Sequence, residues 1–398
     1  MIIFADSEQQ QYWPIEPESM TRWAHAKPII DDLAYPCAEL ADKCTYTPCR
    51  RPRGIHIGTI DSVMKQSLSL VLGFVFATHL LYAADMPTIE VALKAVGLDA
   101  GAKDRVLAGE IVSKELAEGS DKELAAGLVL QIRAPLAKIM QAVREGKTFE
   151  VNRDILAFGR ADGDLDKLGY TAEEAGEALA VLNAGPGSKF NLSNAEIGRF
   201  RALKVKLKSA DPRKDPQALE AINTEYRAIL ANRLTAYRNG GVKAVAAYSR
   251  DKGESKPAEE LGLALNESLV GTLFPEFHQA LASYPIVPQE GIESEYWWFK
   301  QRVERRPIFI LAHRMYQQSA DHALMMERQI YVGASYNSSQ TIAGGVEEGG
   351  NVIVLYGNRC FTDQVAGGLS GMKHSIGRGE MINELKAYFE NVRKMLEK

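Results

Sequence analysis

The segment that most constrains this chain is an apolar run with no polar face: Leu68 to Leu81 is interrupted only by Ser69, Gly73, Thr78 and His79. Met64-Lys65-Gln66 stands before it, and Tyr82-Ala83-Ala84 leads out into Asp85-Met86-Pro87. A charged start, an apolar centre and a small-residue end form the pattern of a secretory signal. About 14 to 17 apolar residues is short for a membrane-spanning helix, which needs roughly 20. A buried core helix is the plainer explanation, but Lys65 directly ahead of the run and the missing polar face argue against it. Residues 64–84 therefore read as a signal peptide or signal anchor. Everything after Ala84 is expected to work outside the cytoplasm, in the periplasm or another extracytoplasmic space. It would stay attached to the membrane if the signal is not cleaved.

Residues 1–63 show little periodicity and contain loop-like pieces such as Cys49-Arg50-Arg51-Pro52-Arg53-Gly54. They are expected to be a non-native or disordered extension, with Met64 as the true start. If they belong to the protein, Arg50, Arg51, Arg53 and Lys65 would remain inside and the carboxy-terminal bulk would again lie outside.

The 314 residues after Ala84 carry 40 Lys and Arg against 42 Asp and Glu. A near-neutral chain lacks the clustered basic face that nucleic acid needs, so that class of partner is excluded. Of the four cysteines, Cys37, Cys44 and Cys49 precede the apolar run and only Cys360 follows it. One cysteine cannot form a disulfide within its own chain, so the exported part must be held by its hydrophobic core. It is long enough to bury one. Cys37-x6-Cys44-x4-Cys49 has neither a Cys-x2-Cys pair nor a nearby His-x3-His, so no metal is expected there.

Residues 85–284 read as a mainly helical domain. Val106, Leu107, Ile111, Val112 and Leu116 show helical spacing. Leu124, Leu128, Ile132, Leu136, Ile139, Met140 and Val143 extend it in a longer element with a kink at Pro135. Thr171-x-x-Glu174 and Ser193-x-x-Glu196 match the capping box of a helix start. Pro216 opens a helix that Gly240-Gly241 ends, and Ala258 to Ser283 is amphipathic with a break at Pro275.

The texture changes near Pro285. Trp297-Trp298-Phe299, Ile308 to Leu311, Met325 to Ser335, Thr341 to Val346 and Val352 to Tyr356 are strand candidates, with Gly349-Gly350 at a turn. Met381, Leu385, Phe389, Val392 and Leu396 lie along one face of a closing helix. The fold class expected is therefore α+β: a helical region, then over residues 285–398 an antiparallel sheet packed on a long carboxy-terminal helix.

Chemical motifs are weak. Asp162-x-Asp164-x-Asp166 with Glu173 has the spacing of a calcium loop, but Lys167 stands where glycine is needed; an acidic solvated loop explains it as well. His313 and His322 lie on adjacent strand candidates with Asp321 and Glu327 nearby, which would suit acid–base chemistry if they converged. Isolated polar positions on a sheet are the plainer reading. No nucleophile elbow or phosphate loop is present, so no catalytic residue, cofactor or metal is assigned. Lys373 and Arg378, in the glycine-rich stretch ahead of the last helix, would suit an anionic head group, or are ordinary surface charges on a crossover. Trp297, Trp298, Tyr331 and Tyr356 belong to an aromatic cluster that either lines a pocket between sheet and helix or simply fills a core.

Glu295-Tyr296-Trp297-Trp298, Gln329 to Tyr336 and Val354-Leu355-Tyr356-Gly357-Asn358-Arg359 resemble a family of uncharacterised exported bacterial proteins, and that resemblance brings no activity with it. The order of strands, glycine crossover and final helix, under a third of the chain, is similar to the end of START-like, helix-grip lipid-binding domains. The resemblance implies a lipid or other hydrophobic partner. Together these readings point to an exported cell-envelope protein binding a hydrophobic or amphipathic ligand, with Trp297, Trp298, His313, His322, Tyr331, Tyr356, Lys373 and Arg378 as ligand contacts. Its rivals are a periplasmic hydrolase using His313 and His322, and a helical scaffold that holds partners together.

Overall fold

Long strands that are buried on both faces organise the molecule. The computed structural model describes residues 89–398 apart from 96, 98–100, 188, 208–210, 267–269 and 286–289. The expected extension 1–63 and the signal segment 64–84 lie outside the described residues.

Two short helices, α1 (Ile89–Ala95) and α2 (Ala102–Leu107), lead into strands β1 (Val112–Glu115) and β2 (Glu123–Ile132). Helices α3 (Leu136–Arg144) and α4 (Lys147–Glu150) precede β3 (Ile155–Arg160), and α5 (Ala175–Leu182), α6 (Asn194–Lys206) and α7 (Pro216–Gly240) follow. A small ribbon, β4 (Tyr248–Ser249) with β5 (Glu254–Ser255), stands before α8 (Pro257–Asn266), α9 (Val270–Leu273) and α10 (Pro275–Ser283). The chain then runs through β6 (Ile292–Val303), β7 (Arg306–Gln318), β8 (His322–Val332), β9 (Ser338–Glu348) and β10 (Asn351–Phe361) into helix α11 (Ser370–Leu396).

Eight of these strands form one antiparallel sheet in the order β1-β2-β10-β9-β8-β7-β6-β3. The meander β6 to β10 is its centre. Val303 pairs with Arg306 and Glu348 with Asn351, leaving two-residue turns at Glu304-Arg305 and Gly349-Gly350. All four turn residues have positive φ, the backbone that matches the right-handed twist of a tight hairpin. Glycine adopts it freely; Glu304 and Arg305 do so under the constraint of the long strands on either side. The expected antiparallel sheet and closing helix are thus present, within a mixed helix and sheet architecture.

The sheet crosses the expected partition at residue 284. β2 pairs with β10 over ten residues, and β3 pairs with β6. Leu124, Leu128 and Ile132, expected on a helix, are strand residues, and the helix begins only after Pro135. The reason is that β2 is buried on both faces. Its core-facing residues 124, 126, 128, 130 and 132 include every fourth position, so spacing alone does not separate strand from helix. Likewise Gly109, with φ +97, separates helix α2 from strand β1, which a single helix had been expected to span. Both capping boxes form, at Thr171 and Ser193. Pro216 opens α7 behind an Asp215 cap, and Pro275 opens α10.

Helices cover both faces of the sheet. On one face Trp298, Phe309, Leu311 and Tyr331 pack against Tyr226, Ile229, Leu230 and Tyr237 of α7. On the other, Leu128, Leu130 and Val354 meet Phe389, Val392 and Leu396 of α11, joined by Leu136 and Met140 of α3. A one-residue bulge in β8 opposite Leu311/Ala312 shifts the alternation, so Ile330 and Tyr331 both face the α7 side. Such an insertion rotates everything beyond it.

Candidate functional site

Between the sheet and α11 lies a cavity of about 690 Å³. It exists because α11 is held close to the sheet at one edge and not over its middle. Gly377 touches β2 so closely that a Cβ there would stand 2.9 Å from Leu124 Cδ1. Phe389 lies edge-on to Tyr356 of β10 with ring centres 5.0 Å apart. Over β8 and β9, by contrast, this face carries Glu327, Gln329, Ser339 and Thr341. Short or polar residues leave volume beneath the helix that bulky apolar ones would fill.

The cavity has two kinds of wall. Phe149, Phe299, Met381 and Leu385 are apolar, and Phe149 sets its ring edge-on to Phe299 at 4.6 Å. Facing them is a hydrogen-bonded floor. Asn358 Nδ2 donates to Thr341 Oγ1 at 2.8 Å, and Tyr336 OH donates to Gln329 Oε1 at 2.7 Å. The exposed Arg153, Glu390 and Lys394 stand at the rim.

One ion pair is set into the floor. Arg314 is only 4% exposed, and its Nε and Nη2 meet Glu327 Oε2 at 2.7 and 2.5 Å. Its guanidinium lies 4.0 Å from the Phe149 ring centre. Burial alone would lower the Arg314 pKa, but the Glu327 carboxylate reverses that and holds the guanidinium firmly charged. Other groups move towards neutrality. Burial raises the Glu384 carboxyl above its ordinary value and pushes the Cys360 thiol up to about 12. Cys360 is therefore a thiol, and no nucleophile. What the site can do is enclose a molecule with apolar and hydrogen-bonding parts.

Of the eight expected ligand contacts, Tyr356 lines the cavity. Trp297 is on the same face but is committed to packing. Its ring lies 5.2 Å from Phe149 and 4.3 Å beneath the Arg160 guanidinium, and its Nε1 donates to Glu295 at 3.2 Å. Trp298 and Tyr331 face the α7 side, where the Tyr331 and Tyr226 hydroxyls are 2.7 Å apart.

His313 is completely buried on that same side, between Tyr237 OH at 2.8 Å and Ser294 Oγ at 3.1 Å. Its ring stacks on Tyr296 at 4.8 Å. His322 sits at the β7–β8 turn beside Ser319 and Asp321, at 2.5 and 2.8 Å. The strand register puts it six residues from His313 along β7, about 20 Å, so the two form no acid–base pair. Lys373 donates to the Ala366 carbonyl at 3.2 Å, and Arg378 pairs with Glu118 at 3.1 Å and Glu115 at 3.3 Å. These cations are engaged by the protein itself, away from the cavity.

The acidic loop is likewise engaged: Asp164 pairs with Lys167 at 2.5 Å, and Asp162 lies 3.7 Å from Arg238. Among the described residues no group of three His, Cys, Asp or Glu is placed to hold a metal ion, and no helix is long and apolar enough to cross a membrane.

The residues missed from the sequence are Arg314, Gln329, Thr341, Asn358 and Glu384. A usable signal was present in β8, where Glu327 and Gln329 put polar groups at alternate positions of an otherwise buried strand. In α11, Glu384 and Tyr388 share the face of Met381 and Leu385. Compared with known proteins, the chain matches no family model, no curated protein and no solved structure.

Proposed function

We propose that this protein is a non-enzymatic binding protein of the cell envelope, holding a lipid or another amphipathic small molecule between its sheet and α11. The observation that carries the reading is the cavity of about 690 Å³ with one apolar and one hydrogen-bonding wall. Its size is within the roughly 300–1,000 Å³ of small-molecule sites. An apolar chain would lie along Phe149, Phe299 and Met381. A polar group would exchange hydrogen bonds with Gln329, Thr341 and Asn358, near the Arg314–Glu327 pair.

The resemblance to START-like domains read from the sequence points the same way, since a sheet that grips a long final helix is their way of enclosing a lipid. Binding is favoured over hydrolysis because the thiol of Cys360, which lines the cavity, is held protonated and the two candidate histidines lie apart. The extracytoplasmic location rests on residues 64–84 and stands or falls with them. Amino-terminal sequencing of the protein from its host should find a mature start near Asp85; a start upstream of Met64 would favour the anchored form.

Native mass spectrometry of protein purified from the envelope tests the binding reading. A small amphipathic adduct, released on denaturation, is expected. Protein that arrives without one, and that takes up neither phospholipid nor fatty acid from added micelles, would overturn the proposal.

A further inference from the structure

A second site lies on the opposite face of the sheet, beneath α7. Arg328 of β8 is completely buried. Its Nε donates to Gln340 Oε1 at 2.9 Å and its Nη1 to Tyr237 OH at 3.2 Å. Its Nη2 has no hydrogen-bond partner, and neither has Gln340 Nε2. Gln340 is 2% exposed and stands directly across the β8–β9 register from Arg328. Both orphan nitrogens belong to the two groups that the Arg328–Gln340 hydrogen bond joins, which keeps them close together.

The buried carboxylates around this core are engaged by other groups: Glu196 pairs with Arg233 at 2.7 Å, and Glu260 accepts from Asn337 Nδ2 and Ser338 Oγ at 2.8 Å each. Glu327 precedes Arg328 along β8 but points the other way, to Arg314. Among the described residues no Asp or Glu pairs with Arg328. Opposite it on β7 is His313, kept neutral by burial and then by Arg328 and Arg238, which push its pKa well below 6.5. Arg238 adds a second positive charge, shared between Asp162 at 3.7 Å and the face of Tyr296 at 4.4 Å. The remaining polar partner is the Tyr237 hydroxyl, held neutral because burial raises its pKa.

A buried guanidinium keeps its charge, and leaving it uncompensated costs several kcal/mol. Each buried donor without an acceptor adds to that cost. Two adjacent NH2 groups, one cationic and one amide, are donors only; the complement they call for is a compact acceptor bearing negative charge.

We infer that Arg328 and Gln340 hold a small monovalent anion of the halide class, buried between the sheet and α7 as a structural component of the fold. A halide suits the site better than a carboxylate-bearing molecule, because the buried Tyr237 and His313 stand beside Arg328 and the cavity described above is on the far side of the sheet. The anion compensates Arg328 in the way that Glu327 compensates Arg314. This site is independent of any ligand in the cavity.

The test uses the full chain. Crystals soaked in bromide should show an anomalous peak beside Arg328 Nη2 and Gln340 Nε2. In solution, replacing gluconate with chloride at constant ionic strength should raise the melting temperature. Above the binding midpoint the rise should be about 2 °C for each tenfold increase in chloride. Arg328→Met and Gln340→Met should each flatten that response. If Arg328→Met does not fold, the bromide experiment on the unaltered protein still decides. A water without anomalous signal at saturating bromide would overturn the inference, and so would a chloride response that Arg328→Met retains.

Discussion

Adjacent residues of β8 show how differently the two faces of one sheet are built. Glu327 turns to the cavity side, where it meets a buried arginine, and the surrounding floor is Gln329, Thr341 and Asn358. Arg328 turns to the α7 side, where its described partners are the Gln340 amide and the Tyr237 hydroxyl and no described carboxylate pairs with it. The α7 face is filled by Tyr226, Tyr237, Trp298, Phe309 and Tyr331, and no cavity is needed to satisfy them. The α11 face is filled only at its edges. A sheet covered by helices on both sides thus packs aromatic rings closely on one face and leaves open space beneath the helix on the other. The difference lies in residue size at a few alternate positions.

The sharpest way to break this comparison is to remove one partner of the cavity-side ion pair. Glu327→Ala leaves Arg314 charged beneath Phe149, and the expected loss is about 3–5 kcal/mol of unfolding free energy in urea titration. Replacing both partners, as Arg314→Met with Glu327→Leu, should recover most of it. A loss below about 1 kcal/mol for the single variant would mean that water reaches Arg314 through the cavity and that the floor is wet.

On the α7 face, Tyr237→Phe deletes the hydroxyl shared by His313 and Arg328. It is expected to cost about 1–3 kcal/mol, since buried donors lose their partner. Destabilisation well under that range would show that the polar network there contributes little beyond packing.

A pH titration separates the faces more gently. His313 is held neutral in the folded protein, its pKa pushed well below 6.5 by burial. Below about pH 6.5 the unfolded chain takes up a proton at this position that the folded chain refuses. The stability contributed by neutral His313 is therefore complete above that pH. It falls as the pH drops towards the folded pKa, by up to about 1.4 kcal/mol per unit. His313→Gln should flatten that part of the profile, measured by thermal melts from pH 7 to pH 5. An unchanged slope would place the acid sensitivity elsewhere.

Much of the fold was legible in the sequence, for physical reasons that also mark where legibility stops. Short apolar runs and the Gly349-Gly350 turn exposed the meander from β6 to β10, and the spacing of Met381, Leu385, Phe389 and Val392 exposed α11. Strand β2 was hidden because burial on both faces erases alternation. Strand β3 was hidden because it is a short edge element whose Gly159 packs against the Trp298 ring. The location of a pocket between sheet and helix could be argued from the aromatic cluster, yet its lining could not. Trp297 and Trp298 are consecutive, so they must face opposite sides of a strand, and the bulge in β8 sends Tyr331 away from the cavity. Lys373 and Arg378 looked available because their partners, Ala366, Glu115 and Glu118, are brought to them only by the fold.

The central claim is that the space beneath α11 receives a ligand. Filling it tests this most directly: Ser339→Leu adds an apolar side chain at a lining position of β9, where buried volume is to spare. Titration of a fluorescent long-chain fatty acid into the unaltered protein and the variant gives the measurement. The account predicts saturable binding to the first, at least tenfold weaker binding to the second, and an unfolding midpoint in the variant that is unchanged or higher. Equal binding to both proteins would contradict it.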